Sequence, residues 1–196
     1  MEHARVIAVA PPEPKIAGSY IRSMMPHRGR MMLLDRIESF SLAEPAVVAL
    51  KNVCQNDPLL EGHFRDVPVF PPALVIEAMA QSAGFLMNVR WLLERDGGDV
   101  AELLRRQERG ARRPPITVLA ESRVRHSRLV YPGSQLVLEA RGQLRRASMQ
   151  SFSVRASVDG SEVASGSVLL AFPDYVPWQA AAAAGAGATN PPEGDR

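Results

Sequence analysis

Between residues 72 and 95 the chain carries no polar stripe. Leu74, Val75, Ile76, Ala78, Met79, Ala80, Ala83, Phe85 and Leu86 would point all round a helix starting near Pro72. A helix that is apolar on every side has to be buried. Proline is welcome in a first turn, where the missing N–H would have no partner, and Asp96-Gly97-Gly98 supplies the stop. Glu77 and, one turn later, Gln81 interrupt the run on a single face. A lone carboxylate in such a segment is costly unless it is paired or put to use. Glu77 is therefore the first candidate for chemistry.

Around this helix the pattern changes. Residues 16–25 suit a short helix stopped before Pro26, and residues 26–30 a turn. Residues 31–37 suit a first strand, and the Val-rich residues 45–53 a second, ending before Asn56-Asp57-Pro58. Beyond Pro114-Pro115, strands are expected over residues 116–130 and 135–144. Phe152, Val154, Ala156 and Val158 then alternate with Ser151, Ser153, Arg155 and Ser157, the period of a half-buried strand. Asp159-Gly160 signals a hairpin, and residues 162–172 form the return strand. One buried helix followed by consecutive antiparallel strands is an α+β arrangement.

The domain expected is residues 18–175, preceded by a flexible leader, 1–17, and followed by an Ala/Gly/Pro-rich tail, 176–196, too poor in apolar bulk to fold. Within it, residues 96–113 form a charged excursion, a short surface helix or a mobile segment with helical spacing at Val100, Leu103 and Leu104. Its arginines, Arg105, Arg106, Arg109, Arg112 and Arg113, make a solvated face.

Composition narrows the class. A chain of 196 residues fits one domain. Lys and Arg number 23 against 21 Asp and Glu, with no strongly basic block, so nucleic acid is not an expected partner. The single Cys54, placed in a strand, excludes an internal disulfide framework and fits a reducing cytoplasm. Residues 67–89 are long and apolar enough to suggest a membrane span. Glu77 near the middle and three prolines at the start argue against one, since a carboxylate in lipid is expensive. No closely spaced His, Cys and carboxylate cluster offers a metal set.

A second signal sits just ahead of the helix. Residues 62–81 read Gly62-His63-Phe64-Arg65-Asp66-Val67-Pro68-Val69-Phe70-Pro71-Pro72-Ala73-Leu74-Val75-Ile76-Glu77-Ala78-Met79-Ala80-Gln81. This resembles the hot-dog-fold 3-hydroxyacyl-[acyl carrier protein] dehydratases, with the family's His-to-Glu spacing. Pro26-His27-Arg28 leading into Leu33-Leu34-Asp35-Arg36 resembles the family's first strand. Arg125-His126-Ser127-Arg128-Leu129-Val130-Tyr131-Pro132-Gly133 resembles a third segment, so the likeness covers residues 19–172 outside the excursion.

The resemblance implies a long hydrophobic helix wrapped by an antiparallel sheet, and two subunits that merge their sheets. His63 of one subunit would face Glu77 of the other. Dehydration of a 3-hydroxyacyl thioester, in fatty acid or polyketide synthesis, needs a base beside the carbonyl and an acid for the departing hydroxyl. Histidine suits the first role, and a carboxyl among apolar residues suits the second. Gln81 would hold that carboxyl, and Phe64, Pro72 and Ala73 would position substrate. The acyl group arrives on the phosphopantetheine arm of acyl carrier protein, with no further cofactor. Arg125 and Arg128 are candidate contacts to that acidic carrier. The expected assembly is a homodimer, or a heterodimer with a related hot-dog subunit, or a higher oligomer.

Two departures stand out. Pro72 replaces a glycine whose N–H is taken to bond the thioester carbonyl, and proline has no N–H to give; the next amide, of Ala73, is the substitute. Arg65-Asp66 replaces Pro-Gly beside His63. His27 and Arg28 are expected to tie down a turn, and His126 carries no visible chemistry. Pro72 also keeps open a second reading, a weakly active or inactive partner subunit in a mixed dimer that lends Glu77 or His63 to another chain. A third, a hot-dog thioesterase or acyl-binding module, is opposed by the His-to-Glu spacing.

Overall fold

A computed structural model describes residues 16–110, 113–146 and 148–173. The expected leader, apart from its last two residues, lies outside them, as do the expected tail and Arg112.

The all-apolar segment is one helix, α2 (Pro72–Asp96), 25 residues long. The described residues form seven strands: β1 (Ile16–Ala17), β2 (Arg36–Ser41), β3 (Ala46–Asn52), β4 (Val118–His126), β5 (Gln135–Arg146), β6 (Met149–Val158) and β7 (Ser161–Ala171). They form a single sheet in the order β1-β2-β3-β5-β6-β7-β4, every neighbouring pair antiparallel. Ala78, Met79, Ala83, Phe85, Leu86, Val89 and Leu92 on α2 are buried against inward residues such as Leu136, Leu138 and Ala140 of β5 and Phe152 of β6. Phe85 meets Phe40 of β2 edge to face, ring centres 5.9 Å apart. Each large side chain removed from water here contributes roughly 1.5–3 kcal/mol.

The buried polar residues of α2, Gln81, Ser82 and Asn88, are all hydrogen-bonded. Ser82 donates to the Met79 carbonyl, 2.8 Å. Asn88, fully buried, donates to the Met24 carbonyl (2.9 Å) and accepts from the Thr117 hydroxyl (2.7 Å). That pair ties α2 to the end of α1 (Gly18–Met24) on one side and to the approach to β4 on the other.

Several expectations are corrected. Residues 31–35 are not a strand: Gly29–Met31 is a 3-10 turn and β2 starts only at Arg36. The Leu33 N–H is taken by the Gln81 side chain, 3.0 Å, instead of by a strand ladder. Ile16 and Ala17 belong to the sheet and not to the leader, opposite Ile37 and Arg36. Cys54 lies past the end of β3 and is exposed. The charged excursion holds α3 (Val100–Glu108), whose Leu103 is buried in the main core. The Asp99 side chain caps α3 by accepting from the Glu102 N–H, 2.8 Å. Arg105 and Arg106 reach Glu102 from their exposed face, as a solvated arginine face would.

The predicted β6–β7 hairpin is present. Asp159 (φ 50°) and Gly160 (φ 74°) are both left-handed, the demand of a type I′ turn. Phe152, Val154 and Ala156 point inward as expected, but Val158 is only half-buried while Ser157 is buried. The register shifts between Ala156 and Ser157, and a one-residue slip exchanges the faces of a strand.

Among the described residues, the edge strand β4 holds to the sheet through β7 alone. Gly166 of β7 lies opposite Val124, and a Cβ there would stand 2.0 Å from the Arg123 carbonyl oxygen and 2.8 Å from Val124 Cα. Both are backbone atoms with no room to give. Gly166→Ala is expected to cost about 3 kcal/mol and to loosen β4 first. Urea denaturation checks the magnitude, and faster amide exchange in β4 than in β5 checks the location.

Candidate active site

Glu77 sits on α2 where the cover of the sheet stops. Its side chain is 24% exposed and that of His27 23%, with His27 Nε2 at 3.2 Å from Glu77 Oε1. Gln81 Nε2 donates to the same oxygen at 2.9 Å and to the Met31 carbonyl at 2.7 Å, while its own oxygen accepts from Leu33. The expectation that Gln81 holds the Glu77 carboxyl matches this geometry. The carboxamide can do so because the buried turn at residues 31–33 fixes it from behind.

The two hydrogen bonds favour the anion. Donation from His27, the strongest influence, holds the Glu77 carboxyl below the usual carboxylate range. Partial burial pulls the other way, and Gln81 adds to the lowering. The expectation that apolar surroundings favour the neutral acid is therefore reversed within a single chain. Glu77 is a carboxylate because its donors outweigh its desolvation.

His27 is the residue that sequence reasoning placed wrongly. Arg28 does staple the turn, donating to the carbonyls of Met25 (2.7 Å) and His27 (2.6 Å). The imidazole of His27 instead turns into the site. Its Nδ1 is buried and has no hydrogen-bond partner among the described residues. A proton on Nδ1 would go unsatisfied, so the ring keeps its proton on Nε2, facing the carboxylate. No local signal in Pro26-His27-Arg28 marks this, because the contact spans fifty residues of chain.

A cleft of about 270 Å³ opens beside the pair, lined by Met25, His27, Glu77, Gln81, Gly84 and the stretch from Ile116 to Leu119, among others. His63 is not among its lining residues. It stands on a separate loop, where the His63 N–H donates to the Leu60 carbonyl (3.1 Å) and the Val69 N–H to the His63 carbonyl (2.8 Å). Gly62, at φ 79°, supplies the left-handed bend. His63 Nδ1 lies 2.8 Å from the Val69 carbonyl oxygen. A carbonyl can only accept, so Nδ1 carries the proton and Nε2 presents a lone pair. Phe64 stacks on the His63 ring at 4.2 Å and is 60% exposed.

At the start of α2, Pro71 and Pro72 have no N–H, and Leu74 and Val75 both donate to the Pro71 carbonyl, at 2.9 and 3.2 Å. The Ala73 amide, on an exposed residue, makes no such bond to the preceding loop. Arg125 on β4 and Arg128 just after it are both exposed. Among the described residues, no three His, Cys, Asp or Glu side chains gather as a metal set. No helix among those residues is long and apolar enough to cross a membrane.

The lowered Glu77 value fixes a pH dependence. A carboxyl whose folded value lies below its unfolded one stabilises the fold above the ordinary carboxylate range. That contribution is lost as pH falls through the folded value. The stability gap between wild type and Glu77→Gln should therefore be widest near neutrality and shrink in acid, as read by thermal melts across pH. In His27→Ala the carboxyl should titrate at higher pH by carbon-13 NMR, and an unmoved midpoint would refute the His27 contribution.

Comparison with known proteins agrees with this architecture. A family model described as a FabA-like domain matches residues 25–167. The 3-hydroxyacyl-[acyl-carrier-protein] dehydratase FabZ of Streptococcus equi subsp. zooepidemicus (strain MGCS10565) is 35% identical over 152 residues, 78% of this chain and 94% of that protein. Its counterpart in Streptococcus sanguinis (strain SK36) is 34% identical over 151 residues, 77% of this chain and 94% of that protein. Among solved structures, a chain of the dehydratase heterocomplex ApeI:P from Xenorhabdus doucetiae shares the fold. The TM-score is 0.61 at 21% identity, covering 83% of this chain and 96% of that one. With the buried helix, the enclosing antiparallel sheet and these matches together, the chain belongs to the FabA-like hot-dog family, beside the FabZ-type 3-hydroxyacyl-[acyl-carrier-protein] dehydratases.

Proposed function

We infer that the protein removes water from 3-hydroxyacyl thioesters of acyl carrier protein, giving trans-2-enoyl thioesters in fatty acid or polyketide synthesis. The observation that carries the reading is the tautomer of His63. Its Nδ1–H is anchored on the Val69 carbonyl, which leaves Nε2 free to take a proton. His63 Nε2 removes the proton beside the thioester carbonyl, and that electron pair becomes the new double bond. The C–O bond breaks, and the hydroxyl leaves as water with a proton from Glu77 of a second chain. Exchange with solvent then resets both groups.

Two features support a second chain. His63 and Glu77 do not share a cleft within one chain, and β4 offers an unpaired edge with exposed Val118 and Leu119. A homodimer joined along that edge completes the site. Covering the half-exposed Glu77–His27 pair strips solvent from the carboxylate, and that works toward the neutral acid the reaction needs. Exposed Arg125 and Arg128 fit an acidic carrier. Beyond the substrate's own phosphopantetheine arm, these proton transfers call for no cofactor. The lone cysteine fits a cytoplasmic setting.

Pro72 removes one donor for the thioester oxygen, and the Ala73 N–H takes its place at the positive end of α2. Pro72→Gly should then leave turnover nearly unchanged. A gain of about a hundredfold would mean that the donor is missing, and would favour the mixed-dimer reading.

The primary test offers the purified protein a crotonyl-carrier thioester and follows loss of the conjugated enoyl absorbance. Wild type should hydrate it, while His63→Ala and Glu77→Gln each fall by about a hundredfold or more with their folds intact. Equal loss of absorbance in all three would overturn the assignment. Light scattering on the same sample should report a dimer. A folded but inactive wild type would move the assignment to a partner subunit.

A further inference from the structure

On the face of α2 that carries Glu77 and Gln81, the next positions one and two turns along are Gly84 and Asn88. They fill different roles. Gly84 lines the cleft; Asn88 lies behind it, fully buried and bonded to Thr117, which lines the cleft from the opposite side. By helix rise, Gly84 stands on the order of 10 Å from Glu77 along the axis.

Nothing in the fold requires a glycine at position 84. A Cβ there would meet only side-chain atoms at ordinary contact distance: Met25 Cε at 3.6 Å, Leu170 Cδ1 at 3.9 Å and Thr117 Cβ at 3.9 Å. No backbone presses on it, unlike at Gly166. Glycine is also a poor choice inside a helix, where alanine is the best. The position gives up helix propensity and leaves room for about one methyl group, and that room lies on the wall of the cleft beside the carboxylate.

We propose that Gly84 sets the length of acyl chain the site accepts, with the Thr117–Asn88 hydrogen bond as the floor behind it. The inference rests on the dehydratase reading and deepens it. An acyl chain whose reacting carbons lie at Glu77 runs along α2, past Gln81, through the gap at Gly84. It is bounded by Met25 and Leu170 and stops against Thr117. The Thr117 hydroxyl already donates to Asn88, which in turn is held by the Met24 carbonyl. Opening the floor would leave those buried groups unpaired, so it does not yield to a longer chain.

The test compares crotonyl- and decenoyl-carrier thioesters on wild type, Gly84→Ala and Gly84→Leu, as kcat/KM for hydration. Gly84→Leu should lower the decenoyl-to-crotonyl ratio at least about tenfold. Gly84→Ala should shift the ratio in the same direction, less far, while raising the melting temperature. If Gly84→Leu fails to fold, Gly84→Ala alone decides. A decenoyl-to-crotonyl ratio equal to wild type in every folded variant would overturn the proposal. Wild type inert toward both substrates would instead overturn the dehydratase reading on which it rests.

Discussion

A helix with no polar stripe must be covered on every side, and the rest of this protein follows from that requirement. Twenty-five residues of α2 present apolar side chains all round, more than one packing partner can cover. A curved antiparallel sheet does it with β3, β5, β6 and β7, and α1 and α3 close the remaining flank through Met24, Met25 and Leu103. The buried polar groups on such a helix cannot reach water. They have to find partners inside the chain, and Ser82, Gln81 and Asn88 each do. These bonds also set geometry, because each joins the helix to a segment distant in sequence.

The site lies where that cover ends. Glu77 is far enough out to line the cleft and far enough in for its hydrogen bonds to matter. Its state is a contest between desolvation, which favours the neutral acid, and donation from His27 and Gln81, which favours the anion. In one chain the donors win. On the proposed function, a second subunit that removes more water would favour the acid at this position, and the edge of β4, with Val118 and Leu119 exposed, offers the surface for it.

The two prolines at the start of α2 belong to the same economy of polar groups. A helix N-terminus normally exposes several unsatisfied N–H groups. Pro71 and Pro72 remove two, and the Pro71 carbonyl takes up those of Leu74 and Val75. What remains is the Ala73 amide. The substitution that looks like a loss in sequence therefore concentrates the helix terminus into one donor. Similarly, the glycine at position 84 reads as a weak spot in a helix until the cleft beside it is seen.

Much of this was legible in the sequence, and for local reasons. The all-round apolarity of residues 73–89, the Asp96-Gly97-Gly98 stop and the Asp159-Gly160 turn reflect backbone preference and burial, which act over a few residues. The spacing from His63 to Glu77 and Gln81 carried the family. Other features depended on contacts that no local pattern encodes. His27 meets Glu77 across fifty residues of chain; Leu33 gives its N–H to Gln81 and so withdraws residues 31–35 from the sheet; and a register shift at Ala156 turns Ser157 inward. By itself the sequence determined which segments must be buried and which groups can move protons. Only the tertiary structure decided which donors surround Glu77 and therefore which way its acidity shifts, because that depends on the distances between atoms that folding alone brings together.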